Sequence, residues 1–179
     1  LRFALIELFN LSIWSLADKS PTINKFIRSL TNEASEEIIF NLLPSQKKAT
    51  KDLFSAKKSV VVTMPTSAGK TLIGELYILY KMHQYNVDGY PTVCYIVPTN
   101  ALVNQVQSEF KEKFKSFDFN IEIALPYFDI DEIEDEILRD KPIHILITTP
   151  EKLDFLIRQD HPSLDNLKLV VLDEAHNIG

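Results

Sequence analysis

A lysine, a threonine and a pair of carboxylates are spaced along this chain as phosphate chemistry would require. The apolar run Val60-Val61-Val62-Thr63 leads into Met64-Pro65-Thr66-Ser67-Ala68-Gly69-Lys70-Thr71, and helical spacing follows from Leu72. A strand-to-helix junction of this kind offers a triphosphate inward-pointing backbone N–H groups from Thr66, Ser67, Ala68 and Gly69, and the positive end of a helix. Lys70 then adds an ammonium for the outer phosphates, and Thr71 a hydroxyl for Mg²⁺. The general phosphate-loop pattern has glycine where Met64 stands, so only its second half is met. Gly-Lys-Thr alone arises by chance in roughly one chain of this length in twenty.

The second constellation is Asp173-Glu174-Ala175-His176, which follows Leu169-Val170-Val171-Leu172. Two carboxylates at the tip of a buried strand form a rigid post with its charge at a sheet edge. Asp173 would hold Mg²⁺ through water, and Glu174 would orient and deprotonate the water that attacks a γ-phosphate. This tetrapeptide arises by chance in only about one such chain in a thousand, and a solvated turn is the weaker reading of the two acids once Lys70 is considered. A lone histidine after a strand, as at His176, is by itself ordinary turn polarity.

The elements needed to position these groups are legible in the pattern. From residue 59 onward, β-branched or apolar runs alternate with helical spacing. Strands are expected at Ser59 to Thr63, Thr92 to Val97, Asn120 to Leu125, His144 to Thr148 and Leu167 to Leu172. Helices are expected at Lys70 to His83, Asn100 to Lys115, Asp131 to Arg139 and Glu151 to Arg158, with Val106, Phe110 and Phe114 forming one apolar stripe. Such alternation predicts a mostly parallel sheet flanked by helices, an α/β fold. The first forty-odd residues read as helical instead: an apolar helix to Ala17 containing Trp14 as core, a break at Ser20-Pro21, helices over 23–30 and 34–43, a stop at Pro44, and a helix over 46–56 capped by Ser45.

Composition narrows the function classes. With 179 residues, 45% of them hydrophobic, the chain can bury a sizeable core, and its net charge of −6 excludes coating nucleic acid through a broad basic face. Cys94, the single cysteine, sits in an apolar run and reads as core in a reducing compartment, so the cytoplasm, with nucleoid association open, is the expected location. Leu1 to Ala17 carries Arg2 and Glu7 and is short for a bilayer span, so no membrane association is expected. The acidic run from Asp129 to Glu136 reads as a solvated helix face, and His83, His144 and His161 lack metal-ligand spacing.

Taken together, these residues resemble superfamily 2 helicases of the DEAD or DEAH-box kind. Met64 to Thr71 is similar to motif I, where that superfamily commonly lacks the first glycine, and Asp173 to His176 is similar to motif II. Val97-Pro98-Thr99-Asn100-Ala101-Leu102-Val103-Asn104-Gln105 resembles motif Ia, and Thr148-Thr149-Pro150-Glu151-Lys152-Leu153-Asp154 resembles motif Ib. The wording of these motifs is closest to the Ski-like branch.

The resemblance implies a RecA-like nucleotide-binding domain over 44–179 behind a helical segment over 1–43, with ATP and Mg²⁺ as cofactors. It implies nucleic-acid contacts at Pro98, Thr99 and Thr149, a coupling role for His176, and an adenine-reading Gln46 in Leu43-Pro44-Ser45-Gln46. Partners would be single-stranded or partly duplex nucleic acid, DNA favoured over RNA, and a second RecA-like domain of the same chain that supplies arginine fingers. The Thr-Gly element that many relatives carry after the third strand is replaced here by Leu125-Pro126-Tyr127-Phe128-Asp129, so that contact is not carried over.

A start without methionine and an end at Gly179 read as cuts within a larger protein. The family's next strand, which pairs beside the phosphate-loop strand, would then be missing. Val60-Val61-Val62 would keep an open edge that favours association, and the segment alone would hydrolyse ATP poorly. Two rivals stay open on the residues themselves: another phosphate-loop ATPase or kinase that does not act on nucleic acid, and a catalytically silent RecA-like binding module.

Overall fold

The computed structural model describes residues 11–32, 38–65, 69–85, 91–124 and 142–175. The chain divides into two compact units, Leu1–Gln84 and Tyr85–Gly179. The expected helix 131–139, the loop 125–129 and with them the whole acidic run, Thr66 to Ala68 and His176 lie outside the described residues, as do residues 1–10.

In the first unit a 3-10 helix, Ile13–Lys19, is followed by α1 (Pro21–Leu30), α2 (Pro44–Ser55) and α3 (Lys70–Tyr85). From Ile13 onward the expected first helix is therefore 3-10. Its three-residue turn buries Ile13 and Leu16 and leaves Trp14 38% exposed, not in the core. The helix expected from Ile23 to Leu30 is present and begins two residues earlier, at Pro21, directly after the break at Ser20. The Ser20 hydroxyl accepts the Ile23 N–H at 3.0 Å, and Pro21 occupies a first-turn position that needs no N–H.

Further expectations fail in this unit: Ser45, read as the cap of a helix from Gln46, lies inside α2, whose N-cap is Leu43. Residues 38–43, read as part of a helix, are not helical: the N–H of Ile13 donates to the carbonyl of Phe40 and the N–H of Leu42 to that of Leu11, forming an antiparallel bridge at Ser12 and Asn41. The same backbone groups cannot also close helical turns, and Pro44 holds Leu43 extended at φ −62°, ψ 150°. Residues 59–63, read as a strand, pair with nothing in the described sheet, and Val61 is 87% exposed. β-branched residues favour extension, but a strand exists only with a neighbour.

The second unit bears the sheet: β1 (Thr92–Ile96), α4 (Asn100–Lys113), β2 (Ile121–Ile123), β3 (Ile145–Thr148), α5 (Pro150–Arg158) and β4 (Leu167–Leu172). Four parallel strands lie in the order β2-β3-β1-β4. Central β1 and β3 are buried throughout, as parallel strands covered on both faces should be. Edge strand β4 alternates instead, with Lys168, Val170 and Leu172 exposed. On one face Cys94 and Ile96 of β1 pack with Leu153 of α5. On the other, Tyr95 meets the Phe110 ring of α4 edge-on at 5.0 Å, and Phe110 leans on Phe114 at 5.3 Å. The expected α4 stripe is thus present in Phe110 and Phe114, with Val103 buried beside them and Val106 only half-buried. Among the described residues no helix is long and apolar enough to cross a membrane.

Phe110 is fully buried at the centre of this aromatic contact. Phe110→Ala is expected to destabilise the protein by about 3–5 kcal/mol in denaturant unfolding, the range for deleting a large aromatic from a packed core.

Candidate nucleotide site and nucleic-acid loops

Motif I is built where α2 and α3 meet. Phe54 stacks on Tyr80 at 4.4 Å, and the Tyr80 hydroxyl donates to the Phe54 carbonyl at 3.3 Å. α3 begins at Lys70, directly after Gly69, whose φ of +66° places it in the left-handed region. That conformation suits glycine, and a Cβ there would also lie 2.5 Å from the Gln46 side-chain nitrogen. Gln46 is only 6% exposed: its Oε1 accepts the Leu43 N–H at 2.8 Å, and its Nε2 donates to the Gly69 carbonyl at 3.4 Å. The residue singled out as an adenine reader therefore also ties the start of α2 to the end of the phosphate loop. Lys70 and Thr71 are half-buried on the first turn of α3, where helix N–H groups and dipole favour an anion. The chemistry of this donor set fits a polyphosphate.

The second unit brings the other motifs to one sheet edge. Ile96 is in register with Thr148 on one side and with Leu172 on the other, so Pro98-Thr99, Thr149 and Asp173-Glu174 leave the sheet at one level. Open parallel sheets bind ligands at this carboxyl edge. Three strand ends converge here. A fourth, ending at the phosphate loop, was expected, but residues 59–63 form no strand.

The two candidate threonines differ. Thr99 is exposed and caps α4 through its carbonyl, which accepts the N–H groups of Leu102 and Val103, while its hydroxyl makes no capping bond. That hydroxyl and the first N–H groups of α4 suit a phosphate oxygen. Thr149 is 7% exposed, and its hydroxyl accepts the Lys152 N–H at 3.5 Å, so it serves α5 as a cap. Lys152 is buried with its ammonium over the Phe155 ring at 5.3 Å.

Asp173 is held from three directions. Its N–H donates to the Ile96 carbonyl at 2.9 Å, its Oδ1 accepts the Glu174 N–H at 2.9 Å, and its Oδ2 accepts the Tyr95 hydroxyl at 2.8 Å. Glu174 adopts φ +50°, unusual for a residue with a side chain and a form of strain that concentrates at functional sites. The sequence reading missed Tyr95 and the buried Glu75 of α3. A signal existed for Tyr95, since a phenol in an otherwise non-ionic buried run must find a hydrogen-bond partner. Cys94 is core, as expected, and burial pushes its thiol pKa up to about 12. Burial likewise lowers the pKa of His144 against an opposing pull from Asp118, and its Nδ1 accepts the Asn120 N–H.

The DEAD/DEAH box helicase family model matches residues 43–179, most of the chain. The chain belongs to that family. Hel308, an ATP-dependent DNA helicase of Methanococcus vannielii, is 35% identical over 156 residues, covering 86% of this chain and 19% of that protein. MER3, an ATP-dependent DNA helicase of Saccharomyces cerevisiae, is 35% identical over 137 residues, 74% of this chain and 11% of that protein. This DEAD/DEAH box chain thus spans a fifth or less of either relative. Among solved structures, the DUF1998 helicase MrfA bound to DNA and AMPPNP superposes with a TM-score of 0.66 at 26% identity, covering 88% of this chain and 22% of that one. The yeast DEAD-box splicing factor Prp28, at 23% identity and a TM-score of 0.61, shares the RecA-like fold.

Gly69→Ala is expected to cost about 1–2 kcal/mol of stability from the left-handed backbone alone. The collision with Gln46 adds to this, because its amide can retreat only by releasing the Leu43 N–H. Measured by thermal unfolding, the cost should shrink in a Gln46→Ala background without vanishing; equal costs in both backgrounds would mean that the contact carries no energy.

Proposed function

We propose that this chain is the ATP-binding half of an ATP-dependent helicase or translocase acting on single-stranded or partly duplex nucleic acid, DNA in preference to RNA. The observation that carries the reading is the shared level of the strand ends, which sets the acids of motif II beside the loops of motifs Ia and Ib. An enzyme that couples phosphate chemistry to grip on a strand needs those groups on one rigid support. The named relatives Hel308 and MER3, both DNA helicases, support the preference for DNA.

In this reading Lys70 neutralises the outer phosphates, the N-terminus of α3 receives them, and Gln46 secures the loop while facing the base. Thr71 and Asp173 hold Mg²⁺, which when bound offsets the charge on the β- and γ-phosphates. Glu174 orients the attacking water and accepts its proton. Thr99 and the helix N-terminus behind it hold strand phosphates; at Thr149 the contact falls to the loop backbone, since the hydroxyl caps α5. His176 couples nucleotide state to strand binding, and a second RecA-like domain of the same protein supplies arginines.

The test is ATP turnover by the full-length protein with and without single strands. DNA should stimulate turnover more than RNA, and Lys70→Ala should abolish most of it. Glu174→Gln should lower kcat by roughly a hundredfold or more while leaving ATP affinity near the parental value. Parental turnover in Glu174→Gln, or no response to any nucleic acid, would contradict the proposal.

A further inference from the structure

We propose that Tyr95 is the positioning residue for the metal-binding carboxylate, fixing the orientation in which Asp173 receives Mg²⁺; the inference rests on the proposed role of Asp173. Tyr95 sits on β1 and Asp173 directly after the adjacent strand, β4. Tyr95 pairs with Val171, so Asp173 lies two residues further along the chain, just past the end of β4, a rise of about 6.6 Å if the extended path continues. A tyrosine leaning along its strand can span that distance and end in a hydroxyl, which donates to Oδ2 at 2.8 Å.

The other carboxylate oxygen, Oδ1, accepts the Glu174 N–H at 2.9 Å. Each oxygen therefore has one donor and keeps one lone-pair direction for a metal or a metal-bound water. Rotating the carboxylate breaks both bonds, so these two donors set the direction of those lone pairs.

Tyr95 is a stiff support. It is 2% exposed, paired on both sides in a central strand, and held edge-on by Phe110 at 5.0 Å. Its strand continues through Ile96 and Val97 into Pro98-Thr99, and the Ile96 carbonyl accepts the Asp173 N–H. The strand that carries the motif Ia loop thus holds motif II by backbone and side chain together. Groups that orient a metal ligand from behind typically contribute tenfold to a hundredfold in metal affinity or activity.

Tyr95→Phe in the full-length protein removes the hydroxyl and keeps the ring. Mn²⁺ binding in the presence of AMP-PNP, followed by electron paramagnetic resonance, should weaken about tenfold, and the Mg²⁺ concentration for half-maximal ATP turnover should rise by a similar factor. ATP affinity at saturating Mg²⁺ should hold. Phe110→Leu, which loosens the packing behind the ring but spares the hydroxyl, should lower the melting temperature while moving the metal affinity less than Tyr95→Phe does.

Asp173→Asn separates this inference from the reading beneath it. If Asp173→Asn leaves Mn²⁺ binding intact, the metal role of Asp173 is wrong. If Asp173→Asn loses binding and Tyr95→Phe matches the parent, the positioning role is overturned. Should Tyr95→Phe fail to fold, protein labelled with ¹³C at tyrosine Cζ answers instead: the resonance displaced by Asp173→Asn should also move when Mg²⁺ and AMP-PNP are added, and the absence of such a resonance would overturn the inference.

Discussion

The parallel register of β1 against its two neighbours is the constraint on which the second unit depends. Ile96 lies beside Thr148 and Leu172. A side-chain period of two means that a slip of one residue would turn Tyr95 and Asp173 to opposite faces, and would carry the loop after β4 away from the loops after β1 and β3. Burial fixes this register, because β1 and β3 have apolar residues on both faces and α4 and α5 each need their own set of contacts. Packing energy spent in the interior thereby sets the height of every polar group at the carboxyl edge.

Among its described residues the first unit reaches a comparable result without a sheet. Pro44 opens α2 and leaves Leu43 extended, Gln46 closes back on the Leu43 N–H, and the same amide reaches the Gly69 carbonyl. One glutamine thus caps one helix and steadies the entry to another. The left-handed Gly69 turns the chain so that Lys70 and Thr71 begin α3, where the positive end of the helix dipole suits an anion. The glycine is required twice over, by its φ and by its closeness to Gln46.

What could be read from sequence was what local chemistry determines. Gly69-Lys70-Thr71 and Asp173-Glu174 each announce a task within a few residues, and Phe110 and Phe114 announce a buried helix face. The errors fall where a distant partner decides. Val60 to Val62 have the composition of a strand, but strands are made by neighbours. Residues 38–43 have helical spacing, but their backbone bonds go to residues 11 and 13. That the Thr149 hydroxyl caps α5 is likewise visible only in the fold. Tyr95 was passed over because a tyrosine in a buried run looks like core until its partner on another strand is seen.

A crystal structure of the full-length protein with Mg²⁺, AMP-PNP and a short single strand tests the central claim most directly. The account predicts the γ-phosphate within hydrogen-bonding reach of Lys70 and the first turn of α3, the metal joined through water to Asp173 with the Tyr95 bond kept, and the strand's phosphates against Thr99. Nucleotide bound away from Gly69 and Lys70, or a strand crossing the amino-terminal edge of the sheet, would contradict it.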